Sequence, residues 1–151
     1  VHQIPRRGDE FCINKNSSPM KNIAKQTTFW ITLLSGFGLL FIGLRFFLDP
    51  LVAETDFGIN TLTNGDYSFQ YIKGARDFFF GLIIVVLLWQ KEWRALGLVL
   101  LPGAIVPAAD FCIVLSQPGF TASHLYPHLT AVIICVACGT YYITHSKKAN
   151  P

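Results

Sequence analysis

Hydrophobic positions along the chain do not alternate with polar ones at a helical or strand period; they come in long unbroken runs. The first extends from Thr27 to Leu48 and meets Arg45 and then Pro50. The second, over residues 71–89, carries Phe78, Phe79, Phe80 and the block Leu82 to Trp89, and stops at Gln90, Lys91 and Glu92. A third spans residues 95–115 and the fourth residues 125–144, where Tyr141 and Tyr142 take the position favoured by aromatic residues at a water interface. About 20 helical residues cross a bilayer core, so the pattern predicts four crossings. Runs apolar on every side have lipid as their simplest solvent. The expected fold is all-α, a four-transmembrane-helix antiparallel bundle with its N- and C-termini cytoplasmic. Pro102 and Pro107 predict a kink in the third helix, tolerated where neighbouring helices satisfy the freed carbonyls.

Charge sets the orientation. Arg6, Arg7, Lys15, Lys21 and Lys25 precede the first run, Lys91 and Arg94 lie between the second and third, and Lys147 and Lys148 follow the fourth. Positive residues in short loops stay on the cytoplasmic side, so these segments belong there. Residues 49–73 hold Asp49, Glu54, Asp56 and Asp66 against Lys73 alone, and residues 116–127 carry no charge; both should face outward. The net charge of +3 is then an orientation signal. No basic stripe is interleaved with aromatics, so nucleic acid is not an expected partner. With 52% apolar residues and only 14% charged, the composition agrees with a single membrane domain over residues 27–145. It places the chain in a plasma membrane or bacterial inner membrane, or in the endoplasmic reticulum of a eukaryote.

The ends are less patterned. Residues 1–26 read as a flexible polar segment and residues 146–151 as a short tail. Met20 is the only methionine, so translation starting there, with residues 1–19 an extension, is one reading. A signal peptide is the rival reading of the first run, but the run is long for one and Arg45 lies near its end. Asn16-Ser17-Ser18 matches a glycosylation acceptor, and a glycan there would invert the topology. Cys12, Cys112, Cys135 and Cys138 include one C-x-x-C pair deep in the fourth run, where thiols act mostly as packing groups. No second ligand pair accompanies it, and no metal or cofactor is predicted.

Candidate chemistry comes from the ionisable residues within or bordering the runs, which are costly in lipid unless paired or hydrated. Arg45 lies near the outer end of the first helix, Arg76 and Asp77 at the outer start of the second, Asp110 toward the outer end of the third and His128 at the outer start of the fourth. Asp110 is roughly 7 to 8 Å from its helix end, a depth His128 can share. Small residues fall on the same helical faces: Gly74 and Gly81 with Asp77, Gly103 with Asp110, Ala131 and Cys135 with His128, and Gly38 with Arg45. Small residues let helices approach in a membrane, so these polar groups should point inward. Each also has a plain reading: Arg45 snorkelling to head groups, Asp77 favoured by its helix dipole, Asp110 in a structural ion pair, His128 hydrogen-bonded at an interface.

Gly43-Leu44-Arg45-Phe46-Phe47-Leu48-Asp49-Pro50, the Phe57-Gly58 pair, Lys73-Gly74-Ala75-Arg76-Asp77 with Gly81, Arg94-Ala95-Leu96-Gly97, Asp110 and His128 together form a recognisable pattern. Over residues 37–142 the chain resembles a family of small four-helix membrane proteins of unknown function, with a Gly-x-Arg-Asp motif opening the second helix. The resemblance brings no established activity. It implies that Arg76, Asp77, Asp110 and His128 are the positions to test.

Two functional expectations follow. In the first, an outer-leaflet pocket binds a small lipophilic or amphipathic molecule and performs isomerase- or cyclase-like acid–base chemistry. Asp110, His128 and Asp77 are its catalytic candidates, and Arg45 and Arg76 its substrate-binding ones. In the second, the protein is a non-enzymatic accessory or partner-binding subunit, with homo-oligomerisation one form of partnership, and its charges tie helices together. Transport by a single chain is disfavoured because the cytoplasmic half offers almost no polar path. The connection over residues 49–70 is long for a bundle; it reads as a linker or as a lid folded over the polar cluster.

Overall fold

The structure, a computed structural model, describes residues 19–61 and 64–146. The N-terminal extension, the glycosylation acceptor, Cys12 and the tail beyond Ser146 lie outside these residues. All regular structure described is helical: α1 (Pro19–Leu48), α2 (Pro50–Phe57), α3 (Ser68–Trp89), α4 (Trp93–Gly103), α5 (Ile105–Leu115) and α6 (Ala122–His145). Helix α1 begins at Pro19 rather than at Thr27, because the mixed stretch Asn22 to Gln26, with polar Asn22, Lys25 and Gln26, is already helical before the apolar run opens. Three segments are long and apolar enough to cross a membrane: Asn22–Leu48, Trp93–Leu115 and Ala122–His145. At 22 residues, α3 is also roughly 33 Å long, but it carries Lys73, Arg76 and Asp77 in its first half.

The third apolar run is broken at Ala104, between α4 and α5. Pro107 has no N–H to give to the Gly103 carbonyl, and the regular helix is interrupted at the resulting gap. The connection after α1 is more structured than a linker. Pro50 starts α2 at the position where a missing N–H costs nothing, and Gly58, at φ +96°, ends it in the left-handed conformation.

Two antiparallel helix pairs form the body, each closed by glycines. In the first, α1 lies on α3: a Cβ on Gly43 would stand 2.6 Å from the Phe78 backbone nitrogen, and one on Gly81 2.7 Å from the Gly36 carbonyl oxygen. In the second, α4 lies on α6: a Cβ on Gly97 would stand 2.9 Å from the Gly139 carbonyl, and one on Gly139 3.0 Å from the Leu101 nitrogen. Backbones this close gain dispersion contact and weak C–H···O bonding, which drive helix association where both helix and solvent are apolar.

The two pairs meet at the end where α3 turns into α4. Ile84 and Leu88 of α3 pack there on Leu96 and Leu100 of α4 and on Cys138 and Tyr142 of α6. Trp93 stacks on Tyr142 at 5.8 Å, and the Tyr142 hydroxyl donates to Thr32 Oγ1 of α1 at 3.3 Å. Facing outward instead are Trp30, Leu34, Phe41, Phe79, Leu98 and Ile133, each more than half exposed. Large apolar side chains on the perimeter and polar ones inside are the arrangement lipid demands.

Candidate functional site

At the opposite end the interior is charged. Lys73 and Asp77 are one turn apart on α3, so their side chains lie on one face and form an ion pair of 2.7 Å. Arg76 Nε approaches Asp77 Oδ1 at 3.2 Å, while Arg76 Nη2 reaches across to Asp110 Oδ2 of α5 at 3.3 Å. Lys73 Nζ is also 3.6 Å from that oxygen. Asp77 and Asp110 are only 5% and 9% exposed, so neither carboxylate is left to face the interior alone. The two cations of α3 thus alternate with two carboxylates in one network, and the network ties the first helix pair to the second.

His128 joins this group by another route. It is 8% exposed, and its Nε2 lies 3.4 Å from the Phe57 carbonyl oxygen at the end of α2. A carbonyl only accepts, so Nε2 carries the proton of that contact and Nδ1 is left as the acceptor of the neutral ring. The Phe57 ring stands edge-on to the imidazole, 4.5 Å between centroids, and Lys73 Nζ lies 4.0 Å from the centre of the same ring. Phe57 is thus a wedge between the ammonium of α3 and the imidazole of α6. No hydrogen bond joins Asp110 to His128 among the described residues.

Arg45 takes a different partner from Arg76. Its guanidinium pairs with Asp56 of α2 at 2.7 Å, with both side chains part exposed. Asp56 also offers its carbonyl to His124 Nδ1 at 3.2 Å. Helix α2 is fixed from below by Glu54, a buried carboxylate that accepts from Thr61 N at 2.7 Å, Thr61 Oγ1 at 2.6 Å and Gln70 Nε2 at 2.6 Å. Three donors substitute for the water this charge has lost.

Of the residues singled out in the sequence, Arg76, Asp77 and Asp110 are brought into one network, His128 stands beside it through Phe57, and Arg45 forms a separate pair. Two participants, Lys73 and Phe57, were named in the family pattern but not among the site candidates. Lys73 was countable only as a loop charge, although its spacing of four from Asp77 on a helix was a usable signal. Phe57 was visible only as half of the Phe57-Gly58 pair of the family pattern, and its partners Lys73 and His128 lie too far along the chain for spacing to reveal them.

Between the two helix pairs lies a cavity of about 740 Å³. Its wall is mostly apolar, with Leu39, Ile42, Phe80, Val99 and Ile134 among its residues, while Arg45, Asp56, Lys73, Asp77, Asp110 and His128 line its charged end. Gly38 and Gly103 also face it, and a Cβ on either would meet nothing within 4 Å. These two glycines border space, unlike those that hold the helix pairs together. The volume is within the range of cavities that take drug-sized ligands. Among the described residues no three His, Cys, Asp or Glu side chains are grouped as a metal site would require. Cys135, in the cavity wall, and Cys138 are both free thiols.

Described residues that are helical throughout their regular structure, with three helices long and apolar enough to cross a membrane and large exposed apolar side chains, make this a membrane protein. Its family is equally definite: residues 36–142 match the model of the family described as domain of unknown function (DUF4267), and the chain belongs to it. Comparison with curated proteins and with solved structures finds no match.

Proposed function

We propose that α1, α3, α4–α5 and α6 make four crossings with both termini cytoplasmic, and that the cavity between them holds a small amphipathic molecule in the outer leaflet. Long range of the positive residues to one side supports the orientation, since Lys91 and Arg94 share an end with the start of α1 and the end of α6. The crossing by α3 is made tolerable by pairing: each of its three charges has an opposite charge within 3.3 Å. The observation that carries the binding reading is the cavity itself, apolar along its length and polar at one end.

His128 is the group best suited to move a proton on such a ligand. Its Nδ1 has no protein partner among the described residues, whereas Asp77 and Asp110 are already occupied by Lys73 and Arg76. The same occupancy favours a structural role for the two carboxylates, and with it the second reading, a non-enzymatic protein whose charges tie α3 to α5.

Native mass spectrometry after gentle extraction tests the binding reading. Wild-type protein should retain a recurring small molecule, and Gly38→Leu, whose Cβ has open space and whose side chain extends into the cavity, should lose it. A wild-type protein that emerges bare, or a ligand retained equally by the variant, would sink the proposal. If His128 performs chemistry, His128→Gln should retain a different molecule, the substrate rather than the product; an unchanged ligand favours the non-enzymatic reading.

A further inference from the structure

We infer that the cavity selects a molecule with an uncharged, hydrogen-bonding head, a hydroxyl or carbonyl on an apolar body, and rejects both carboxylate and ammonium analogues. The inference rests on the binding reading of the cavity and adds the class of ligand. Two cations, Arg45 and Lys73, and three carboxylates, Asp56, Asp77 and Asp110, line its charged end, and Arg76, outside the lining, pairs with the last two carboxylates from behind. Every cation has a carboxylate within 3.3 Å, so none is left to receive an anion, and every carboxylate has a cation, so none is left for an ammonium group. The balance holds with His128 neutral. A ligand with a net charge would enter a low-dielectric space with no counter-charge, at a large desolvation cost.

An uncharged head meets the opposite situation. Guanidinium and ammonium N–H groups remain as donors to a carbonyl or hydroxyl oxygen, and carboxylate oxygens remain as acceptors. The wall supplies further acceptors. Pro107 and Pro127 have no N–H, so the carbonyls of Gly103 and Ser123, four residues earlier, lose their usual helical donors; both of those residues line the cavity. A ligand hydroxyl satisfies such a group without bringing charge.

The test compares three probes with the same twelve-carbon tail, n-dodecanol, n-dodecanoate and n-dodecylammonium, at equal mole fraction in the same non-ionic micelles at pH 7.5. Occupancy is read by native mass spectrometry on wild type and Gly38→Leu. The alcohol should occupy the wild type at least tenfold more than either charged probe, and Gly38→Leu should abolish that occupancy. Binding of the carboxylate or the ammonium equal to that of the alcohol, and sensitive to Gly38→Leu, would overturn the head-group inference while leaving the cavity reading intact. No probe bound in a manner sensitive to Gly38→Leu would defeat both. Asp56→Asn frees Arg45 at the cavity without removing a buried group, so it should shift selection toward dodecanoate; an unmoved preference would show that charge balance is not its cause.

Discussion

The two ends of the helix bundle are built from the same four long segments and closed by different physics. Where α3 turns into α4, closure is by shape: Leu96 is fully buried, and Ile84, Leu88, Leu100 and Tyr142 surround it without a charge among them. At the other end closure is by pairing, with Lys73 and Arg76 held between Asp77 and Asp110 and with α2 packed alongside. Shape closure forms the floor of the cavity, which Ile84 and Leu100 line; pairing holds helices together at the length of a side chain and leaves the cavity's charged end beside it. A bundle with one end of each kind is anchored at the first and chemically equipped at the second.

The contrast predicts unequal costs. Leu96→Ala should be the most damaging of three changes, lowering stability by about 2 kcal/mol or more. That is the lower part of the range for buried leucines, because lipid competes for the side chain better than water does. Unfolding in mixed micelles by increasing sodium dodecyl sulfate would measure it. Asp110→Asn should cost less, about 1 to 2 kcal/mol, since Arg76 keeps Asp77 as a partner and part of its side chain reaches solvent. A loss for Asp110→Asn equal to that for Leu96→Ala in the same titration would erase the distinction between the two ends.

The smallest effect concerns the entry to α3. Ser68 donates its N–H and its hydroxyl to Asp66 Oδ1, at 2.9 and 2.5 Å, and these bonds hold the Asp66 carboxyl below its ordinary carboxylate value. A lowered carboxyl stabilises the folded state above its unfolded pKa and ceases to do so as pH falls through the lowered folded value. Acidification through that window should therefore lower the protection factor of the Ser68 amide, the ratio of its intrinsic to its observed exchange rate at each pH, in the wild type. Asp66→Ala should show the lower protection factor already at neutral pH and no such step; an identical acid response in the variant would remove Asp66 as its cause.

How much of this was legible in the sequence depended on the range of the interactions. Long apolar runs located the helices because lipid acts on each of them separately, and Pro107 signalled the break at Ala104 because a missing N–H acts within one turn. The resemblance to a family of unknown function over residues 37–142 agrees with the family match over residues 36–142. Depth counting set Arg76, Asp77, Asp110 and His128 at one level, because antiparallel helices turn distance from a loop into height, but it matched Asp110 with His128, whereas the carboxylate pairs with Arg76 and Lys73. Partner choice was not legible: Arg45 and Arg76 sit at similar heights, yet one pairs with Asp56 and the other with Asp110, a difference of rotation and of where α2 lies. Helix α2 itself is too short and too mixed for its pattern to declare it. Its position is decided by Glu54 with Gln70 and Thr61, and by Phe57 with His128.

The glycine-sealed pairs behave mechanically as two stiff jaws, since helices in backbone contact cannot slide apart without opening a void along their length. With Ile84, Leu96 and Tyr142 acting as the fulcrum, any widening of the gap must be a rigid rotation of one jaw about that point. Phe57 grips Lys73 on one jaw and His128 on the other, which makes α2 the tether that sets how far the mouth can open.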